Sequence, residues 1–173
     1  KADNHKVQFE RESLYGWVRV IDKPAENFRL LTVDASTIGA ASISHGENVL
    51  TYQKIVNLLP ILAPNIKHAL LVGQGAGHMA MTLKEYGIVT DTLEIDPAVA
   101  EAASSYFGFI PTGQTIIGDA RYEIRQLSGP YDLIIMDVFT GGSEPTHLLT
   151  VEALAQLHAL LPNQGILARN FVS

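Results

Sequence analysis

The feature that most constrains this fold is an apolar run that leads directly into three closely spaced glycines. It reads Ala69-Leu-Leu-Val-Gly-Gln-Gly-Ala-Gly77, and after one helix-length stretch a second run, Val89-Thr-Asp-Thr-Leu-Glu-Ile-Asp-Pro97, ends in acids. A strand, a glycine loop, a helix and a second strand form the βαβ unit of nucleotide-binding folds. Glycines let the backbone approach a ligand closely. The residues predicted to contact this ligand are Gly73, Gln74, Gly75 and Gly77.

The spacing of the glycines favours an adenosine-type ligand without phosphates, such as an S-adenosyl compound. A dinucleotide fingerprint reads G-x-G-x-x-G, whereas here the third glycine comes one residue early and His78 stands in the last position. The G-K-S/T ending of a phosphate-binding loop is also missing. Glu94, at the end of the second predicted strand, has a carboxylate that can accept hydrogen bonds from ribose hydroxyls. The alternative is that the glycines only form a tight turn between strand and helix.

The composition of the 173-residue chain excludes several classes of protein. Hydrophobic residues make up 47% and charged residues 17%, which suits one domain with a substantial core. The net charge of -6 argues against nucleic acids and anionic membranes as partners, so we expect a neutral or cationic small molecule. The absence of cysteine excludes disulfides and thiolate metal sites.

The chain shows no sign of a membrane span or a signal peptide. No apolar run approaches the ~18 residues that a spanning helix needs. A soluble, cytoplasmic protein is therefore expected. Because the sequence begins with Lys1 rather than Met, we also expect that it is a processed or excised piece of a longer chain.

Residues 1–48 are predicted to form a small antiparallel β-element and a link. The segments 7–10, 14–21 and 28–33 are rich in β-branched and aromatic residues, which is typical of strands. Residues 35–48 are rich in Ser, Gly and Ala, and this composition predicts a flexible link.

Residues 49–173 are predicted to form one Rossmann-like domain in which helices and strands alternate. Asp96 before Pro97 is a typical helix start, and further strands are expected at 114–117, 131–136 and 166–171. An apolar stripe predicts one more helix, and it consists of Val151, Leu154, Leu157 and Leu161. The fold class is therefore α/β, with a doubly wound and mostly parallel sheet.

The last strand pair that usually completes such a sheet is not found in this sequence. We expect the open edge to be covered by self-association, as in a homodimer, or by sequence outside this chain.

Three further acids follow predicted strands, where ligands of a parallel sheet bind. Asp119 can accept a hydrogen bond from an adenine amino group, and Asp137 can orient or deprotonate an attacking amine. Asp96 is interpreted as a helix cap, and Asp119 has the same alternative. Asp137 opens a glycine-containing loop, 138–145, whose length suits a lid.

The six histidines lack the spacing of metal ligands, so no metal site is expected. His78, in the glycine loop, and His147, in the predicted lid, are candidates to face a ligand. Serine nucleophilic catalysis has no support, because the G-x-S-x-G elbow is absent.

Together, several motifs resemble those of the spermidine synthase family, the aminopropyltransferases built on the class I methyltransferase fold. The matching segments are Glu12-Ser-Leu-Tyr-Gly16, Leu31-Thr-Val-Asp34, Tyr52-Gln53, Leu71-Val-Gly-Gln-Gly-Ala-Gly77, Leu93-Glu-Ile-Asp-Pro97, Gly118-Asp-Ala120 and Tyr131-Asp-Leu-Ile-Ile-Met-Asp137. They cover nearly all of the chain. Each is weak alone, but the set is specific.

The resemblance implies a donor, an acceptor and residue roles. Decarboxylated S-adenosylmethionine donates an aminopropyl group to a polyamine amine in this family. By resemblance Glu94 and Ile95 hold the ribose, Asp119 and Ala120 hold the adenine, and Asp137 is the base. Tyr52, by resemblance, assists in orienting the attacking amine. The other candidates on the acceptor side are Gln53, Thr140 and His147.

The sequence departs from the family at two acids. Ala76 replaces the aspartate of the glycine loop, and Thr140 stands where the catalytic loop carries a second aspartate. The chain therefore resembles more closely the spermidine synthase-like proteins, some of which are fused to membrane segments. Aminopropyl transfer is the first hypothesis. Methyl transfer from S-adenosylmethionine and a non-catalytic binding or assembly domain are the alternatives.

Overall fold

The structure, a computed structural model, describes residues 4–50, 53–137 and 150–169. Its contacts divide the chain into two compact units. The first unit contains residues 1–51, 75–78 and 96–110, and the second contains 52–74, 79–95 and 111–173. A domain boundary between residues 48 and 49 remains a prediction.

Nine strands and five helices are present among the described residues. The strands are β1 (Lys6–Ser13), β2 (Gly16–Lys23), β3 (Phe28–Val33), β4 (Ser36–Ser42), β5 (His68–Val72), β6 (Val89–Glu94), β7 (Thr115–Ile117), β8 (Leu133–Met136) and β9 (Ile166–Arg169). The helices are α1 (Gln53–Leu62), α2 (His78–Glu85), α3 (Pro97–Tyr106), α4 (Ala120–Glu123) and α5 (Val151–Ala159). Short 3₁₀ turns follow α1 and α4, at Ala63–Asn65 and Ile124–Gln126.

The first unit is a four-stranded antiparallel sheet, β1-β2-β3-β4, with helix α3 against it. The predicted flexible link over 35–48 is wrong for about half of its length, because Ser36–Ser42 forms β4 and pairs with β3 on both sides of one irregularity. Its small residues Ala40 and Ala41 are buried. The buried core of this unit consists of Val18, Val20, Leu31, Ala41, Ala76, Ala98, Val99, Ala102 and Phe107.

The second unit is a five-stranded sheet in the order β7-β6-β5-β8-β9, and every pair in it is parallel. Strand β5, which starts the βαβ unit, lies in the middle of the sheet. Strands β6 and β7 are added on one side of β5, and strands β8 and β9 are added on the other side. This confirms the predicted doubly wound α/β fold. As predicted for a central strand, all four residues of β8 are buried.

The inward face of helix α5 matches the predicted stripe only in part, since Leu157 is buried and Leu161 packs against the core of the second unit. Val151 is 79% exposed, whereas Ala153, Leu157 and Leu160 are buried. These three positions follow the spacing i, i+4, i+7 of a helix face. Thr150 caps the helix by accepting a hydrogen bond from the Ala153 amide.

Within the described residues, none of the helices has the length and apolar character needed to cross a bilayer.

Candidate functional site

Residues at the carboxyl ends of four adjacent strands lie along one edge of the parallel sheet. The amide of Gly73, after β5, donates to the carbonyl of Leu93 at 2.8 Å, and the amide of Gly118, after β7, donates to the carbonyl of Glu94 at 2.9 Å. The amide of Asp137, after β8, donates to the carbonyl of Val72 at 2.8 Å. These bonds extend the ladder one step past the strands. They bring Gly73, Glu94, Gly118 and Asp137 to one edge of the second unit, where parallel sheets bind ligands.

The backbone of the glycine loop requires glycine. Gly73, Gly75 and Gly77 have φ angles of 93°, 55° and 87°, a region that other residues rarely adopt. A Cβ on Gly77 would also clash with the ring of Phe109 in the first unit. The predicted strand, glycine turn and helix are therefore present.

Gln74 is the loop side chain with an unused hydrogen-bonding group. It is only 4% exposed, and its Oε1 accepts a hydrogen bond from the Thr92 hydroxyl at 3.1 Å. Its Nε2 is buried and finds no partner among the described residues. A buried donor without a partner costs about 1–3 kcal/mol, and a ligand acceptor would remove that cost. The loop thus fits a ligand that offers an acceptor.

Thr92 is a residue that the sequence interpretation missed. It lies two positions before Glu94 in β6, so both side chains lie on the same face of the strand. The period-2 pattern was the signal that could have identified it.

Glu94 ends β6 with a carboxylate that is only 8% exposed. A buried carboxylate needs hydrogen-bond donors or a positive charge. Ile95, the next residue, is half-buried. The burial of Glu94 and Ile95 is consistent with a position at the edge of the sheet where ligands bind.

Asp96 is a helix cap, as the sequence predicted. Its Oδ1 accepts from the Ala98 amide at 2.9 Å, and its Oδ2 accepts from the Ser13 hydroxyl at 2.6 Å. Both oxygens are engaged within the first unit.

Asp119 also caps a helix, and it pairs with a neighbouring arginine. Its Oδ1 accepts from the Arg121 amide at 2.9 Å, and its Oδ2 accepts from Nη2 of Arg121 at 2.5 Å. This hydrogen bond raises the pKa of the Arg121 guanidinium. Ala120 is buried in the core of the second unit. The cap alternative for Asp119 is thus confirmed, and a role in adenine binding remains a prediction.

The predicted acceptor half of the site lies largely outside the described residues. The structure does not describe Tyr52, Thr140, His147 or the side chain of Gln53. Asp137 is described and half-buried, directly after the buried β8.

His78, the first residue of α2, is buried in the first unit, with its ring edge-on to Phe107 at 6.0 Å. Burial lowers the pKa of His78. The imidazole of His78 is therefore uncharged at neutral pH. Within residues 4–50, 53–137 and 150–169, no cluster of three or more His, Asp or Glu side chains suits a metal ion.

A second polar cluster lies at the opposite, amino-terminal end of the parallel strands. Asp91 accepts hydrogen bonds from the Tyr131 hydroxyl at 2.8 Å and from the Gln114 amide at 2.8 Å. His68 Nε2 lies 3.1 Å from the same carboxylate. Burial, followed by the bond to Asp91, raises the pKa of Tyr131. The sequence interpretation missed this cluster, whose members are far apart in the chain.

The chain is similar in sequence to a curated methyltransferase and to curated aminopropyltransferases. It is 33% identical to an N-terminal histidine N-methyltransferase of Emericella nidulans over 98% of this chain and 34% of that protein. It is 38% identical to a polyamine aminopropyltransferase of Vibrio vulnificus over 64% of this chain and 39% of that protein. The chain thus spans little more than a third of the length of each of these two relatives. No family model matches it.

Among solved structures, a spermidine synthase in complex with the transition state analogue AdoDATO matches the fold with a TM-score of 0.76. The match covers 95% of this chain and 57% of that one, at 21% sequence identity. This likeness establishes the shared fold.

Proposed function

Because this chain is a relative of the polyamine aminopropyltransferases and of a histidine N-methyltransferase, on the class I methyltransferase fold, we propose that it binds S-adenosylmethionine and supports methyl transfer to a nitrogen nucleophile. The observation that carries this proposal is the row of Gly73, Glu94, Gly118 and Asp137 along one sheet edge. The acceptor is a small amine or an imidazole, as in the N-terminal histidine that the relative's name specifies.

The donor-binding roles follow from chemistry at this edge. The Glu94 carboxylate accepts hydrogen bonds from two ribose hydroxyls, and Ile95 lines the adenosine. Gln74 Nε2 donates to the ligand, which gives this buried amide its missing partner. The glycines keep the loop free of side chains that would occupy the ligand's space.

Position 76 is compatible with the carboxylated donor. Ala76 is 4% exposed and packs in the apolar core of the first unit, with Val20 and Leu31. It therefore offers no negative charge to the amine end of a decarboxylated donor. It also presents no charge that would repel the carboxylate of S-adenosylmethionine.

The sulfonium of the donor supplies an electrophilic carbon. The acceptor nitrogen attacks that methyl carbon, the carbon–sulfur bond breaks, and its electron pair stays on sulfur. The acceptor nitrogen then carries one excess proton. Asp137 accepts it on a carboxylate oxygen as general base.

Aminopropyl transfer is the second candidate, because the Vibrio relative is the more identical of the two over the part that matches. It uses the same edge and the same base. The two functions differ in the donor, so donor affinity separates them.

Calorimetric titration of the purified chain with S-adenosylmethionine, its decarboxylated form and methylthioadenosine tests the proposal. We expect S-adenosylmethionine to bind most tightly. Tighter binding of the decarboxylated donor would assign aminopropyl transfer instead. Binding of none by a folded chain would contradict both candidates and favour the non-catalytic alternative.

Titrating Glu94→Gln beside Glu85→Gln provides the matched control, since Glu85 is an exposed acid on α2. Affinity should fall only in the Glu94 variant.

Self-association as a homodimer stays a prediction. Sedimentation velocity over a wide concentration range tests it, and a single monomeric species throughout would contradict it.

A further inference from the structure

Strand β4 contains an irregularity beside the glycine loop. In the β3–β4 pairing Leu31 faces Gly39 and Thr32 faces Thr37, so Ile38 has no residue opposite it. One extra residue on one strand is a β-bulge, which bends the strand and redirects its neighbours. This bulge lies in the first unit, which also contains residues 75–78.

The bulge lies against the loop, with a close approach at Gly39 and ordinary van der Waals spacing at Gly75. A Cβ placed on Gly39 would lie 2.7 Å from the Cβ of Ala76, a distance that real Cβ atoms do not adopt. A Cβ placed on Gly75 would lie 3.6 Å from the carbonyl oxygen of Ile38. Gly39 is therefore the position where the strand makes room for the methyl group of Ala76.

The backbone of Gly39 does not itself require glycine. Its φ angle is not among the positive ones, unlike those of Gly75 and Gly77. An alanine in a strand is otherwise favoured over glycine by roughly 0.5–1 kcal/mol. The reason for glycine at position 39 is the space that Ala76 occupies.

We propose that Gly39 is a positioning residue for the S-adenosyl donor. The β4 bulge packs against Gly75 and Ala76 and so holds the backbone of the glycine loop in its binding conformation. This inference rests on the proposed function for its ligand. Gly39 acts through loop residues Gly75 and Ala76 of its own unit and need not touch the donor.

A size-swap cycle tests the coupling. Gly39→Ala should weaken binding of S-adenosylmethionine about tenfold or more, as expected for directly contacting residues. Ala76→Gly supplies the second single-variant affinity, against which the double variant is compared. The double variant Gly39→Ala/Ala76→Gly moves the methyl group from the loop to the strand, and it should regain most of the lost affinity.

A matched control separates positioning from loss of stability. Val18→Ala removes methyl groups from the same buried core, but Val18 pairs with Val33 rather than with the partner of Gly39. It should lower the melting temperature while donor affinity stays within about twofold of wild type. Equal affinity in Gly39→Ala and wild type, or no recovery in the double variant, would overturn the inference.

Hydrogen exchange of the amides of residues 73–78 gives a readout that needs no ligand. We expect faster exchange in Gly39→Ala, and wild-type exchange in the double variant. If the wild-type chain binds no donor but exchange follows this pattern, the proposed function is wrong, whereas the packing of Gly39 against Ala76 still holds the loop in place. Unchanged exchange in Gly39→Ala would show that Gly39 does not hold the loop in place.

Discussion

Asp137 is the described residue on which transfer, as distinct from donor binding, is expected to depend. Its amide is fixed to Val72, so its carboxyl group starts from a buried, rigid strand. Asp137→Asn keeps the size and removes the base. We expect the rate of transfer to fall about 10²- to 10⁴-fold, the usual contribution of a general base.

The measurement is methylation of a peptide with an N-terminal histidine, paired with calorimetry of donor binding. Donor affinity should stay close to wild type. Undiminished transfer by Asp137→Asn would assign proton removal to another group or to solvent.

Asp96 illustrates the opposite case, a motif acid whose oxygens are both used structurally. It caps α3 through the Ala98 amide and accepts from the Ser13 hydroxyl on β1. Asp96→Ala should lower the free energy of unfolding by about 1–3 kcal/mol, the sum of a lost cap and a lost hydrogen bond.

Urea unfolding measures the effect of Asp96→Ala. Ser13→Ala is the comparison variant: it keeps the cap but removes the bond to Asp96, together with the bonds of the Ser13 hydroxyl to the Gly16 carbonyl and from the Tyr15 amide. Each lost bond should cost about 0.5–1.5 kcal/mol. A tenfold loss of donor affinity in Asp96→Ala at unchanged stability would instead make Asp96 a ligand contact.

At the scale of elements, the cluster around Asp91 joins β6 to the segments that lead into β5, β7 and β8. The Tyr131 hydroxyl is a buried donor to a charged acceptor, and its raised pKa keeps the proton on oxygen. Tyr131→Phe keeps the ring and removes this bond. We expect about 1.5–3 kcal/mol less stability and unchanged donor affinity, since the cluster lies at the far end of the strands.

Tyr122→Phe is the matched control, because Tyr122 is 69% exposed and should change stability by less than about 0.5 kcal/mol. Equal unfolding midpoints for the two tyrosine variants would show that Asp91 needs only its other partners.

Some elements could be predicted from sequence and others could not. The parallel strands were predicted because long apolar runs ended at glycines or acids, as β8 does before Asp137. Strand β4 was missed because Ser, Gly and Ala have little strand preference. It exists through pairing with β3, and Ala76 requires the small residue at Gly39. In α5 two apolar stripes overlap, and only tertiary packing selects the one with Ala153 and Leu157.

The candidate site followed the same division. Gly73 and Glu94 were predicted because a strand's end is visible in sequence, and the sheet brings those ends together. The hydrogen bond between Thr92 and Gln74 was not predicted, because the two residues are 18 positions apart in the sequence.

For the whole molecule, donor binding should appear as stability. A ligand that binds only the folded chain adds RT ln(1 + [L]/Kd) to the free energy of unfolding, about 2.7 kcal/mol at a hundredfold excess over Kd. For a chain of this length each kcal/mol shifts Tm by about 2–4 °C, so S-adenosylmethionine at that concentration should raise Tm by about 5–10 °C. Differential scanning fluorimetry measures the shift. Glu94→Gln should lose most of it at the same donor concentration, whereas Glu85→Gln and Tyr131→Phe should keep it even where the starting Tm is lower. A shift that survives in Glu94→Gln would place the donor elsewhere than at the carboxyl ends of β5 and β6, because a ligand held at that edge cannot be indifferent to the buried carboxylate that ends β6.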